Sequence, residues 1–383
     1  MLMQKHLFQL PDDIHYLNCA YMSPLLKSVE EAGINGMQKK RNPANIKADD
    51  FFSEAATVRE QFGALVNCDA VQVAIIPSAS YGLKTAVNNL PTNKGKFAIT
   101  IGDEFPSGYY SIEGWCKENN KELIVIKAPE TNDSRAEKWN EQLLESINAD
   151  TVAVVMSSIH WMDGTIFNLE AIGKRCKETG TVFIVDGTQS VGALPMDVSK
   201  FCIDALICAA YKWLLGPYST GLAYFSEFFN NGKPLEETWK NRINALDFPR
   251  LTNYTTEYKH GAGRYNMGES ANFTLMPMLN TALTQIAEWN VGSIQDYCSK
   301  LIAPLEQFLY ANNFHLEDVS YRAKHLFGFQ LPPSINTQQL MSALQEKKIS
   351  VSLRGNAVRI SPHLYNTEND IDILMETLNR LLQ

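Results

Sequence analysis

An apolar run, Thr181-Val-Phe-Ile-Val185, ends in Asp186, and a second, Ala205–Tyr211, ends in Lys212. If both runs are strands, an acid and an amine stand at neighbouring strand ends. An amine that is positioned and partly desolvated can condense with an aldehyde. A carboxylate that begins buried needs a cationic partner to stay charged, and a protonated ring nitrogen is such a partner. The pair therefore suits an aldehyde-bearing aromatic ring, held covalently at one side and kept electron-accepting at the other. A third feature adds an anion. Pro77-Ser78-Ala79-Ser80-Tyr81-Gly82 follows the run Val71–Ile76 and opens the helical stretch Leu83–Asn89, and small residues at a helix N-terminus leave amides and hydroxyls free to hold a phosphate.

Positioning these groups requires strands that end at one edge. From about residue 70 to 226 the chain alternates apolar runs with amphipathic, charged stretches: Val71–Ile76, Lys96–Ile101, Glu122–Ile126, Thr151–Met156, Thr181–Val185, Asp204–Cys208 and Gly221–Phe225. Their length and β-branched content suit buried strands. Between them, Asp133–Ile147 and Asn168–Thr179 read as helices, the latter with Leu169, Ile172 and Cys176 at helical spacing. The alternation predicts an α/β fold, a mainly parallel sheet sandwiched by helices, with ligands beyond the carboxyl ends of its strands. Later residues read differently: helices at Asn272–Val291, Ser299–Asn312, Gln338–Lys348 and Glu368–Leu382, and short strands near Leu326–Leu331 and Val351–Leu353. A chain of 383 residues exceeds the usual limit for one core. The expected division is a large cofactor-binding domain over 16–262 and a smaller α+β domain built from 1–15 and 263–383, with Asp247–Arg264 as an extended loop between them.

Asp186-Gly-Thr-Gln189 and Ala-Tyr-Lys212-Trp-Leu-Leu-Gly216-Pro217, with Gly221, resemble the class V aminotransferases, a branch of the fold-type I pyridoxal phosphate enzymes that includes cysteine desulfurases, kynureninase and isopenicillin N epimerase-like proteins. The resemblance implies pyridoxal 5′-phosphate as cofactor, Lys212 as its covalent anchor and catalytic base, and Asp186 on the pyridine nitrogen. It implies Gln189 at the phenolic oxygen, Ser78, Ala79 and Ser80 at the phosphate, and Phe105, in Asp103-Glu-Phe-Pro106, stacked on the ring. The segment Gly268-Glu-Ser270-Ala-Asn272 resembles the loop by which one subunit completes its partner's phosphate site, so Ser270 is a further cofactor contact and a homodimer with shared active sites is expected.

On the substrate side, Arg359-Ile-Ser361-Pro-His-Leu-Tyr365-Asn366-Thr367 resembles the family's Arg-x-Ser-x-x-x-Tyr-Asn-Thr ending, which makes Arg359 the holder of a substrate α-carboxylate; Arg354 is a second possible anion contact. Asn18-Cys19-Ala20-Tyr21 resembles the opening that lines the substrate entrance, and Ser157-Ser-Ile-His160-Trp161 occupies a strand end where relatives place polar substrate or cofactor contacts; Asn18 and His160 are the candidates. Desulfurases carry a nucleophilic cysteine just upstream of the substrate arginine. Here no cysteine follows Cys298, and Tyr211 stands where desulfurases usually have histidine before the lysine.

Composition narrows the partners. A net charge of −8 argues against nucleic acid. The N-terminal stretch meets Pro11-Asp12-Asp13 before any long apolar run forms, so neither a signal peptide nor a membrane span is expected. Seven cysteines lack the close pairs of a zinc site and an odd count fits a disulfide framework poorly, which suggests reduced thiols, no metal and a cytoplasmic location. The expected function is transamination between an α-amino acid and a keto acid, both small-molecule substrates. Kynureninase-like or C–S-cleaving lyase action and epimerisation are the alternatives, and a non-catalytic relative of the fold is a further one. A nicotinamide oxidoreductase would need a Gly-x-Gly-x-x-Gly turn after the first strand, which is missing.

Overall fold

The computed structural model describes residues 3–354 and 357–383. Seven strands form the main sheet: β1 (Val73–Ile76), β2 (Phe97–Ile101), β3 (Glu122–Ile126), β4 (Thr151–Ser157), β5 (Val182–Asp186), β6 (Ala205–Ala209) and β7 (Gly221–Phe225). Their order is β1-β7-β6-β5-β4-β2-β3, and only β7 runs antiparallel to its neighbours. Strand residues alternate between two apolar layers. Val73, Ile75, Phe183, Val185, Leu206 and Cys208 join one core, while Ala74, Ile76, Ile184, Ala205 and Ile207 join the other. Such two-sided burial is what a near-continuous apolar run means in a sheet covered on both faces.

Helices α1 (Lys27–Lys39) and α2 (Ser53–Val66) precede the sheet; α3 (Ala79–Asn88) and α4 (Pro106–Glu118) cover one face, and α5 (Arg135–Ser146) and α6 (Leu169–Thr179) the other. α7 (Leu275–Trp289) packs on α1 and α2 and buries Met276, Leu279, Leu283 and Ile286 in the same core as α6. α8 begins immediately afterwards and runs Val291–Ala311, eight residues earlier than its periodicity suggests. Asn290, at φ 63°, breaks the two helices, and its side chain accepts the amide of Gly292 to cap the new one.

A second, antiparallel sheet holds β8 (His315–Leu316), β9 (Phe327–Gln330), β10 (Ser352–Arg354) and β11 (Ala357–Ile360) in the order β10-β11-β9-β8. It shares a core with α8, α9 (Thr337–Glu346) and α10 (Glu368–Leu382). The N-terminal segment joins it: His15–Tyr16 pairs in parallel with Ile349–Ser350, Asn18 bridges to Ser361, and His15 Nδ1 meets Asp370 Oδ1 at 2.7 Å. The segment 247–264 is largely irregular, with short helical turns at Phe248–Arg250 and Gly261–Tyr265.

Candidate active site

The carboxyl ends of β4, β5 and β6 converge with the N-terminus of α3 on one cavity, lined among others by Ala79, Phe105, Ser157, Trp161, Asp186 and Lys212. A wider cleft elsewhere, between Phe167, Leu194, Met196 and Tyr321, holds none of the cofactor or substrate candidates. Lys212 is only 8% exposed. Burial lowers its ammonium to about 8; Asp186 opposes that change, and Arg359 and Arg354 add to it. The lysine is therefore poised to supply a neutral amine at far lower pH than an exposed one. Its backbone is held by a tight turn, in which Leu215 N donates to Lys212 O at 3.1 Å and Gly216 N to Ala210 O at 2.9 Å. Leu215, fully buried, adopts φ 52°, a conformation that costs an L-residue roughly 1–3 kcal/mol and that a surrounding core must enforce.

Asp186 Oδ1 accepts the amide of Thr188 at 2.9 Å, and Thr188 Oγ1 accepts the amide of Ala209 at 3.1 Å, so the ends of β5 and β6 are tied together. Burial raises the Asp186 carboxyl above its ordinary value, while Thr188 and the nearby Lys212 pull it back. No lysine or arginine forms an ion pair with it among the described residues. Phe105 presents its ring to Lys212, whose Nζ lies 5.7 Å from the centroid. Glu104 fixes that ring's backbone: it is buried and accepts from Phe105 N at 2.6 Å, Ser157 N at 2.5 Å and the Ser157 hydroxyl.

Ser78 caps α3 in extended backbone, its Oγ accepting Tyr81 N at 3.2 Å and lying 2.9 Å from Ser80 Oγ. Ser78, Ala79 and Ser80 thus surround free helix-terminal amides beside the cavity. Gln189 lines the cavity, with its amide oriented by two contacts: Oε1 accepts Trp213 Nε1 at 2.9 Å and Nε2 donates to Ala20 O at 3.2 Å.

Arg359 is almost wholly buried. Its Nη1 donates to Trp161 O at 2.6 Å and its Nη2 to Ser352 Oγ at 3.3 Å; Ser352 in turn donates to Asn18 Oδ1 at 2.8 Å. Asn18 therefore acts on the arginine through Ser352. Burial, with Arg354, lowers the guanidinium to about 9. The rest of the motif is architectural: Ser361 Oγ accepts Ala20 N at 2.9 Å, Asn366 Nδ2 donates to Tyr16 O at 2.9 Å, and Thr367 caps α10.

Two sequence candidates lie outside this group. His160 is buried with Nδ1 2.9 Å from Asp163 Oδ1 and Nε2 3.3 Å from Asp103 O, and packs against Trp139. It supports the Asp103–Phe105 loop, while its neighbour Trp161 faces the cavity. Ser270 is buried in the turn after Met267 and does not line the cavity of its own chain. Sequence reasoning did not single out Glu104, Thr188 or Ser352, and named His160 rather than its neighbour Trp161. For Glu104 the signal was an acid three residues past the end of a buried strand; the others become visible only through the pairing of strands distant in sequence. Among the described residues no cluster of histidine, cysteine, aspartate or glutamate could hold a metal ion.

The chemistry of the donor set can be tested against a ring-shaped cofactor. A buried carboxylate without an ion-paired cation, a desolvated amine, an aromatic face and a row of free helix-terminal amides surround one space, and they fit an aldehyde-bearing pyridine phosphate. The family model described as aminotransferase class-V matches residues 46–374. An uncharacterized aminotransferase, YcbU, of Bacillus subtilis is 24% identical over 314 residues, spanning 82% of this chain and 80% of its own length. Kynureninase of Shouchella clausii is 22% identical over 94% of the chain and 83% of its own length. The apo cysteine desulfurase of Thermococcus onnurineus superposes with a TM-score of 0.84 at 17% identity, covering 100% of this chain and 98% of that one.

The chain belongs to the class V aminotransferase family. It is a fold-type I enzyme whose cofactor is pyridoxal 5′-phosphate. No helix among the described residues is long and apolar enough to cross a membrane.

Proposed function

We propose that this enzyme acts on an α-amino acid by transamination, passing the amino group to a keto acid. The observation that carries the amino-acid reading is the placement of Lys212 and Asp186 in one cavity whose wall, Trp161, is hydrogen-bonded to Arg359. Bound pyridoxal phosphate supplies an aldehyde for the amine and a ring that accepts electrons from the substrate's α-carbon. In this reading Lys212 anchors the cofactor and carries the α-proton, and Asp186 keeps the ring nitrogen protonated. Phe105 covers the ring; Gln189 donates toward the phenolic oxygen; Ser78, Ala79 and Ser80 hold the phosphate, with Ser270 of a second copy closing the site. Arg359 clamps the α-carboxylate, fixed by Asn18 through Ser352, and His160 steadies the loop that carries Phe105.

Cysteine chemistry argues against persulfide formation. Cys19 is the cysteine beside Lys212, and burial pushes its thiol up to about 12, so it is a poor nucleophile. The kynureninase likeness over 94% of the chain favours a lyase as the second reading. We further infer a cytoplasmic homodimer, with the domain division at 262–263.

The test is direct. Borohydride reduction of the holoenzyme followed by peptide mapping should place the cofactor on Lys212, and incubation with amino acids plus a keto acid should yield the paired keto acid. Release of alanine or sulfide instead would replace transamination by a lyase reaction; a cofactor reduced onto another lysine would overturn the site.

A further inference from the structure

The region around Arg359 contains a second guanidinium that the reaction above leaves unused. Ser352 on β10 stands opposite Arg359 on β11, and Arg354 is two residues along the same strand. Opposed residues share a face, and so do residues two apart, which makes Arg354 the diagonal neighbour of Arg359 on one side of the ribbon. Arg354 Cζ sits 5.3 Å over the ring of Trp161. Trp161 accepts Arg359 at its carbonyl, stacks edge-on against Phe105 at 5.5 Å and lines the cavity that contains Lys212. Trp161 thus touches both arginines, Arg359 through its carbonyl and Arg354 through its ring, and lines the cavity of Lys212.

Neither arginine has a carboxylate. The ion pairs of the described residues include no contact of Arg354, Arg359 or Lys212. Arg354 donates Nη1 to the Leu353 carbonyl at 2.9 Å, and its buried Nε has no partner among the described residues. Arg354 depresses Arg359 electrostatically, and both guanidinium groups depress Lys212. Cations packed together without a protein anion are costly unless a ligand brings the missing charges. One α-carboxylate satisfies only Arg359.

Resting on the amino-acid reading above, we propose that the site selects α-amino acids whose side chain ends in a second anion, a carboxylate or sulfinate, and that Arg354 receives it. The planar face of Trp161 holds the guanidinium in place, so little ordering is needed when the anion arrives. A site built around an unpaired buried donor discriminates strongly against an isostere lacking the matching group.

The experiment titrates holoenzyme with L-glutamate, L-aspartate and cysteine sulfinate, and with L-glutamine and L-asparagine as neutral isosteres, following the cofactor's visible band. At least one acid should bind about 10-fold or more tighter than its amide, as expected for a matched charge. Arg354→Gln should remove that advantage while leaving amide binding unchanged, and Arg354→Lys should restore part of it. Equal binding of acids and amides by the parent enzyme would overturn the proposal. So would an Arg354→Gln variant that weakens acids and amides alike, since that marks an α-carboxylate or structural role. Failure of every amino acid to perturb the band would instead sink the amino-acid reading, and this proposal with it; thermal melting of both variants distinguishes unfolding from lost recognition.

Discussion

Trp213 donates its indole N–H to Gln189 Oε1 at 2.9 Å, so the residue following Lys212 orients the amide three residues beyond Asp186. His325 backs this contact from the second sheet's side, with Nε2 2.9 Å from Gln189 O and its ring edge-on to Trp213 at 4.5 Å. Gln295 Nε2 faces its Nδ1, and burial depresses the histidine to about 4, so the imidazole stays neutral and donates through Nε2.

Trp213→Phe keeps an aromatic ring at the position and removes the donor. Leaving a buried amide oxygen unpaired costs about 1–3 kcal/mol, and the freed amide should shift the cofactor's absorption maximum. Chemical denaturation and a visible spectrum of the same sample check both; an unchanged spectrum would detach Gln189 from the cofactor.

Lys212 predicts a pH dependence. Its folded value, about 8, lies below the ordinary 10.5, so the unfolded chain binds the extra proton between these limits and stability of the apoprotein rises with pH across that window. Lys212→Met should stabilise the apoprotein at pH 7 by up to about 3 kcal/mol, with the gain shrinking as pH climbs from 8 toward 10.5. Cofactor uptake by the parent apoprotein should speed up through pH 8, as the free amine appears.

Glu104→Ala strips the acceptor from Ser157 N, the Ser157 hydroxyl and Phe105 N. A loss of roughly 2–4 kcal/mol is expected from the orphaned donors, with weaker cofactor retention because Phe105 loses its anchor. Equilibrium dialysis of the cofactor at a temperature where the variant remains folded separates the two effects.

His160 gives the opposite sign. Burial opposes its charge, but Asp163 and, more distantly, Glu104 outweigh that and raise its value above 6.5. The pair therefore contributes stability that is fully present below pH 6.5 and lost as pH rises through the raised folded value. Asp163→Asn should flatten that part of the stability profile; persistence of the slope would assign it to another group.

The strands and the chemistry at their ends were legible because both are written locally. Asp186 and Lys212 close apolar runs, and Phe183, Ile184, Leu206 and Ile207 show no polar alternation, the mark of two-sided burial. Helices α1, α2 and α4 were not read, since Gly33, Gly36 and the aromatic-rich Pro106–Trp115 stretch blur their periodicity. β11 was missed beside a short strand that was read, because four residues carrying Arg359 look like a loop until Phe327–Gln330 pairs with them. His160 and Trp161 are adjacent in sequence and both reach Asp103 O; Asp163, which holds the imidazole inward, leaves the indole facing the cavity.

The bond between His15 and Asp370 joins residues 355 positions apart, and the Asn18–Ser352–Arg359 relay spans nearly as much. Residues 73–225, which carry Asp186 and Lys212, are synthesised and can pack long before those contacts exist. During translation the chain should thus bring Asp186 and Lys212 together first and add Arg359 with its supports last, leaving a nascent interval in which the Lys212 amine meets any aldehyde in its surroundings without those contacts.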